Sequence, residues 1–300
     1  MESLSASDLS AKLRNTNVTT PLGPIARYNL RYTILLTLVP LVCGLTLMLL
    51  LTVFAKLNLY YLEASGMLVN DEVRDAYFAQ VQVETMGVAG FLALQMLMTA
   101  AVSIVVMRWA SAPFTSALRT VETALAAPAN LRPSMRMLSE SPGFDRVIWL
   151  FALRVKNGGE NQIKEGLARY TANLLFLAKF ALCFGALSVV TGRFMEITLG
   201  HVYDKVVALA IQLVKNTNLG SAQHYFSAQQ DVLQDASRIT TGISLLVYLV
   251  MGLNIARYMS TMIFVFSRAL EEDRFPIQLR TDDVYHGLAA SLNKARERIR

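Results

Sequence analysis

Few side chains in this chain could do chemistry, and their spacing argues against most kinds of it. The three histidines are His201, His224 and His286, and the topology read below puts the first two on one side of a membrane and the third on the other. Two histidines without carboxylates at ligand spacing make a poor metal site, so no metal is expected. The two cysteines, Cys43 and Cys183, sit inside apolar runs and read as small packing residues rather than a redox pair. No glycine-rich phosphate loop, His-Glu-x-x-His helix or nucleophile elbow occurs, and Gly158-Gly159 reads as a turn. Lys179 interrupts an apolar run, and a charge inside a membrane span is a functional candidate by default. No apolar span supplies an Asp or Glu to pair with it. Its stem can snorkel toward the headgroups or bond to carbonyls or Asn254; the other reading is a carboxylate from a second subunit. The residues therefore predict a non-enzymatic protein with neither catalytic residues nor a cofactor.

What remains is the scaffold that would position such residues. The 300 residues are 54% hydrophobic and 17% charged, with a mean hydropathy of +0.40, too apolar for an ordinary soluble domain. Four charge-poor runs stand out: Tyr32–Ala55, Thr85–Met107, Tyr170–Gly192 around Lys179, and Ile239–Ala256. Each approaches or exceeds the ~20 residues that cross a bilayer core. The first is too long and too deep in the chain for a cleaved signal peptide. The expected fold class is an all-α integral membrane protein with four transmembrane helices.

Basic residues set the expected orientation. Four Lys/Arg precede the first span, nine lie from Arg108 to Arg169 and eight from Arg257 to Arg300, against two from Lys56 to Glu84 and four from Arg193 to Arg238. Both termini and the middle segment are thus predicted to face the cytoplasm. This sidedness and anionic lipid account for the net charge of +6, and no nucleic-acid partner is expected.

The predicted divisions are a tail (1–30), a first hairpin with a short outer loop (31–108), a linker region (109–168), a second hairpin with an outer helical coiled-coil hairpin (169–256) and a second tail (257–300). Pro40 can kink the first span, and Tyr60 and Tyr61 fit an interfacial aromatic belt. Beyond Pro113 a helix is expected to resume with Phe114, Leu118, Val121 and Leu125 on one face. Pro128, Asn130 and Pro133 break it, and a second helix opens at Phe144-Asp145 and runs to Val155. In the second outer segment Met195, Leu199, Val202, Val206, Leu209 and Leu213 recur as a heptad seam. That seam serves either as internal hairpin packing or as a ligand surface.

The last quarter of the chain carries the most specific pattern. Ile239–Ala256 continues without a breaker to Leu270, followed by Asp273-Arg274-Phe275-Pro276-Ile277-Gln278-Leu279 and then Asp283, Leu288, Leu292 and Asn293. This resembles the HAMP linker of bacterial transmembrane receptors, in which a connector of the type Gly-Asp-Phe-x-Val-x-Leu leads into a short helix. The resemblance implies that Phe275, Ile277 and Leu279 line the connector. It also implies that Asp283 starts the helix, that Leu288 and Leu292 are core positions, and that Asn293 follows them. The segment Arg108–Asn157 is similar in outline, with Pro113-Phe114 where the family has a Pro-Leu pair and Leu150 five residues after Asp145. Its helix around Ile148–Val155 reads equally as an amphipathic helix on the bilayer surface. HAMP linkers relay rearrangements of membrane spans through a parallel four-helix bundle, which makes Pro113, Asp145, Phe275, Asp283, Leu288, Leu292 and Asn293 the candidate relay residues.

Two echoes suggest an internal duplication. Arg31-Tyr32-Thr33 recurs as Arg169-Tyr170-Thr171 at an offset of 138, shared by Asp145 and Asp283 and by Leu150 and Leu288. Arg108-Trp109-Ala110-Ser111 recurs as Arg257-Tyr258-Met259-Ser260 at another offset. Seven residues follow Asn293, so the expected output is a separate cytoplasmic protein rather than a fused enzyme. The partners are thus the bilayer, that cytoplasmic signalling or machine protein, and either further copies in a homo-oligomer or the other half of the same chain in a pseudo-dimer. The resemblance places the chain in a bacterial inner membrane as a receptor-like relay. The alternatives are a scaffold subunit of a membrane machine and, less favoured for want of intramembrane acids, a small transporter.

Overall fold

The computed structural model describes residues 23–65, 71–131, 143–158, 171–212, 219–271, 276–281 and 283–299. Leu213 and Phe275 fall outside them. The described elements are α1 (Pro24–Ala64), α2 (Asp71–Ala126), a 3-10 turn (Pro128–Asn130), α3 (Gly143–Lys156), α4 (Thr171–Gln212), α5 (Leu219–Glu271) and α6 (His286–Glu297), with no strand among them. α1, α2, α4 and α5 are long and apolar enough to cross a membrane. At 41, 56, 42 and 53 residues, each is at least twice the ~20 residues that a bilayer core requires. In hydrocarbon every backbone group must be satisfied within its own helix, and nothing at the predicted span ends breaks the chain, so the helices run on past them.

Pro24 occupies the first turn of α1, where its missing N–H forfeits no helical bond. Asp71 and Glu72 stand in the first turn of α2, where the macrodipole favours acids. Pro113 lies inside α2 and does not interrupt it. An interior proline removes one backbone bond and costs about 3 kcal/mol. Around it, Ala110, Phe114, Ala117 and Val121 are all buried in one core, which holds the helix straight through. α3 ends as expected, with Asn157 N–H bonded to Leu153 C=O at 2.9 Å and Gly158 at φ 70°, a left-handed position that suits glycine.

The four long helices form a closed ring in which α1 packs on α2, α2 on α4, α4 on α5 and α5 on α1. Neighbours in the ring run antiparallel. The proximal end is the one at which α1 and α4 begin, and α3 and α6 pack there; the distal end is the opposite one. Two apolar cores result. The proximal one takes buried residues from all six helices, and the distal one takes Leu47–Leu62, Tyr77–Leu92, Met195–Ala210 and Ala222–Leu233 from the four long helices. Between them lies a polar waist containing Thr99, Ser103, Ser188, Thr191 and Ser237, all buried.

The burial pattern repeats along the chain. Leu36, Leu47, Leu51 and Leu62 on α1 correspond to Phe184, Met195, Leu199 and Ala210 on α4 at an offset of 148. Tyr77, Val106, Ala110 and Val121 on α2 correspond to Phe226, Ile255, Met259 and Leu270 on α5 at an offset of 149. Phe144, Val147, Ile148 and Phe151 correspond to Tyr285, Leu288, Ala289 and Leu292 at an offset of 141. The packing of the long helices therefore follows the second sequence echo, Arg108 to Arg257, rather than the offset of 138, while the short helices repeat at an offset that matches neither echo. Leu288 accordingly matches Val147 rather than Leu150.

Candidate functional site

The proximal cluster gathers most of the described candidate residues. The connector Pro276–Arg280 has no regular structure of its own and needs partners for its backbone groups. Asn293 on α6 supplies them, since its Oδ1 accepts from Ile277 N at 2.8 Å and its Nδ2 donates to Ile277 O at 3.1 Å. One side-chain amide thus replaces both backbone bonds that a neighbouring strand would give Ile277. Asp283 fixes the start of α6: Oδ1 accepts from Tyr285 N at 2.9 Å and from the Tyr258 hydroxyl of α5 at 3.1 Å. Leu288 and Leu292 are buried in the proximal core.

Aromatic rings carry the contact onward. Tyr285 stacks on Phe114 of α2 at 3.9 Å and on Tyr258 at 5.8 Å. Tyr258 meets Tyr28 of α1 at 5.6 Å, Phe114 meets Phe144 of α3 at 5.6 Å, and Phe144 meets Phe266 of α5 at 6.4 Å. Burial pushes the Tyr285 hydroxyl pKa up, reinforced by Tyr258 and Asp283, so the ring stays a neutral stacking partner. The Arg298 guanidinium donates to Leu125 C=O in the last turn of α2, a carbonyl without a helical partner. The contacts run α2 to α3, α3 to α5 and α6 to α2, with α5 and α6 joined through Tyr258. Every cycle of contact therefore passes between the two halves of the chain.

Pro113 is half-buried within α2 and takes no part in a break. Asp145 opens α3, half-buried, and desolvation raises its carboxyl pKa above the usual range. Its helix packs beneath the bundle, with Phe144, Val147, Ile148 and Phe151 in the proximal core.

The seam residues Leu199, Val202 and Val206 are buried in the distal core. Leu209 is only partly buried, while Tyr203 and Ala210 are wholly so. A helix in a closed ring touches two neighbours, which widens the buried stripe beyond one heptad seam. Tyr203 donates its hydroxyl toward Phe226 O at 3.2 Å and Gln229 Oε1 at 2.8 Å, tying α4 to α5.

Lys179 is exposed, with Nζ 5.9 Å from the centroid of the Trp109 ring. It stands level with Arg108-Trp109, where the apolar run of α2 ends, not about ten residues deeper as its place in the run Tyr170–Gly192 suggested. The contact is a cation–π interaction. Among the described residues no group of three His, Cys, Asp or Glu could hold a metal.

A second polar region escaped the sequence reading. The waist contains a partly open cavity of ≈ 30 Å³ lined by Cys43, Gln95, Thr99, Ser188, Thr191, Ser237, Ser244 and Tyr248, among others, room for the centres of about two waters. Its bonds join the two halves: Gln95 Nε2 donates to Thr191 Oγ1 at 3.0 Å, and Cys43 Sγ and Ser244 Oγ are 3.2 Å apart. The Tyr248 hydroxyl donates to Leu36 O at 3.3 Å, the carbonyl that Pro40, lacking an N–H, leaves unbonded. The available signal was the spacing of uncharged polar residues: Gln95, Thr99 and Ser103 on α2, and Ser237, Thr241, Ser244 and Tyr248 on α5, recur at helical intervals.

No protein-family model, curated protein or solved structure matches this chain.

Proposed function

We propose that this chain is a non-enzymatic, receptor-like protein of a bacterial inner membrane, with both ends cytoplasmic, that relays the arrangement of its spans to a separate cytoplasmic partner through HAMP-like helices. The observation that carries the reading is the shared proximal core, in which the ends of α2 and α5 pack with α3 and α6. Packed interiors tolerate discrete rearrangement rather than continuous deformation. A shift of α2 or α5 at the membrane therefore has to repack Phe114, Tyr285 and Tyr258, and with them the connector held by Asn293. The two halves act as the two subunits of a dimeric linker would, and the burial register supports their origin by duplication. Pro113, Asp145, Asp283, Leu288, Leu292 and Asn293 are the relay positions on this reading.

The test is photo-crosslinking in native membranes from an unnatural residue at exposed Lys294 or Arg280. A signalling enzyme or its adaptor should be captured, and Asn293→Ala should weaken the capture. Capture of structural components of a membrane assembly, unaffected by Asn293→Ala, would assign the chain to a scaffold instead.

A further inference from the structure

The apolar surface that faces lipid has different heights on the two sides of the ring. On α1 the exposed large apolar side chains run from Leu30 to Leu57, and on α2 from Trp109 back to Val83. At ~1.5 Å per residue both stretches are about 40 Å tall. On α4 and α5 the corresponding surface starts at the same proximal level, fixed by Lys179 over Trp109, but an ion-pair cluster crosses it much sooner, with the apolar Phe194, Ile197 and Val232 exposed beyond that cluster. Arg193 comes 14 residues after Lys179, or about 21 Å. There Glu196, whose side chain is only 12% exposed, is held between Arg193 at 2.6 Å and Arg238 at 3.1 Å, with Asp235 also on Arg238 at 3.1 Å.

Direct contacts place this ion-pair cluster against the opposite face. Phe194 meets Phe91 of α2 at 6.4 Å, and the adjoining Leu92 packs on Gly44 of α1. Arg193 is thus level with residue 44 or so of α1, while Leu45, Leu49, Val53 and Leu57 remain exposed above that level. The tall side exceeds the ~30 Å hydrocarbon core and the short side falls below it. Charged groups are not left in hydrocarbon without water or a counter-ion.

The geometry points to a wedge-shaped lipid belt, whose short α4/α5 side draws the phosphate layer of the distal leaflet down onto Arg193 and Arg238. The occupant is a phospholipid. Its phosphate bonds the guanidinium N–H groups that Glu196 and Asp235 leave free, and its chains lie along Leu182, Val189, Ile243 and Leu246, all exposed below the arginines. A lipid layer fits better than a protein partner, because an apolar strip leads up to two ion-paired arginines whose side chains are still 69% and 57% exposed, which is the order of tail and headgroup. Bilayer thickness on that side then becomes a variable that bears on the packing of α4 against α5. The assignment stands without the relay reading.

The test uses the full chain, with Cys43 and Cys183 replaced by alanine, in phosphatidylcholine–phosphatidylglycerol nanodiscs that leave both membrane surfaces accessible. Ile197→Cys on α4 and Leu49→Cys on α1 occupy positions of similar height and of matched exposure, 67% and 66%. A membrane-impermeant maleimide should label Ile197→Cys at least tenfold faster than Leu49→Cys. Equal labelling, both protected, or faster reaction at Leu49→Cys would overturn the wedge. The double variant Arg193→Gln/Arg238→Gln, at exposed positions, should retain fewer phospholipids in native mass spectrometry. Unchanged retention would remove the phosphate assignment.

Discussion

Asn293 and Asp283 are two polar side chains through which the end of the chain is held on the bundle. Each hydrogen bond that they make contributes about 0.5–1.5 kcal/mol net. Losing the Asn293 amide leaves the Ile277 N–H and C=O without their partner beside a buried side chain. Asn293→Ala should therefore destabilise the connector by about 1–3 kcal/mol, read as faster hydrogen exchange at the Ile277 amide while the amides of α4 stay protected. Asp145 predicts a pH dependence of opposite sense to that of a salt-bridged acid. Its carboxyl pKa is raised by desolvation, so its contribution to stability is fully present below the unfolded value of about 3.9 and is lost as pH rises through the folded one. At pH 7 the charge is a burden on the fold. Asp145→Asn should melt at a higher temperature than the parent at pH 7, and the difference should shrink as the pH is lowered through the raised pKa; equal melting at pH 7 would contradict this. Asn293 falls inside α6, and both it and Asp283 were legible in the sequence only through the resemblance to the HAMP pattern. Their partners Tyr258 and Ile277 were not, because side-chain bonds across 25 and 16 residues leave no periodic trace.

At the scale of elements, two different interactions join the long helices. Within each hairpin, small residues allow close approach. A Cβ at Gly252 would lie 2.6 Å from Cδ1 of Phe180, and one at Gly192 would meet the β-branched Thr241, whereas Gly185 has open space. Gly192→Leu should thus destabilise the protein by about 1–3 kcal/mol, while Gly185→Leu stays close to the parent; thermal melts in one detergent decide between them. Between the hairpins, hydrogen bonds at the waist join the helices in addition to the two apolar cores. Pro40 and Tyr248 form one unit there, since the tyrosine serves the carbonyl that the proline leaves without a helical partner. Tyr248→Phe should cost about 0.6–1.7 kcal/mol in the parent and less in a Pro40→Ala background, where residue 40 regains its N–H. A double-mutant cycle with zero coupling would refute the pairing. The four spans and the short helices were readable from apolar runs and breakers. The unbroken passage through Pro113 was not, because what holds α2 continuous there is burial of Phe114 and Val121 against other helices.

For the whole molecule, two registers are written into the chain, and they differ. The edges of the apolar runs repeat at 138, from Arg31-Tyr32 to Arg169-Tyr170, while the buried faces of α1 and α4 repeat at 148. Hydropathy reports where a helix meets lipid, and burial reports where it meets another helix; a sequence read mainly through hydropathy gives the first. The ten-residue difference displaces the two apolar runs by about 15 Å, which brings Arg193, just past the end of the α4 run, level with the middle of the α1 run. It also explains why Lys179 looked like a deep intramembrane charge. The echo at Arg108 and Arg257 carried the packing register all along, because it lies where both helices enter the same core.

The central claim is that one chain builds the complete proximal module from its own two halves. Arg298 and Leu125 lie 173 residues apart in sequence and in direct contact. With Leu125→Cys and Arg298→Cys in a background lacking Cys43 and Cys183, a short bis-maleimide applied in native membranes should produce a faster-migrating monomer band and no dimer. A crosslinked dimer without that intrachain band would show that the halves of different chains pair, and would contradict the account.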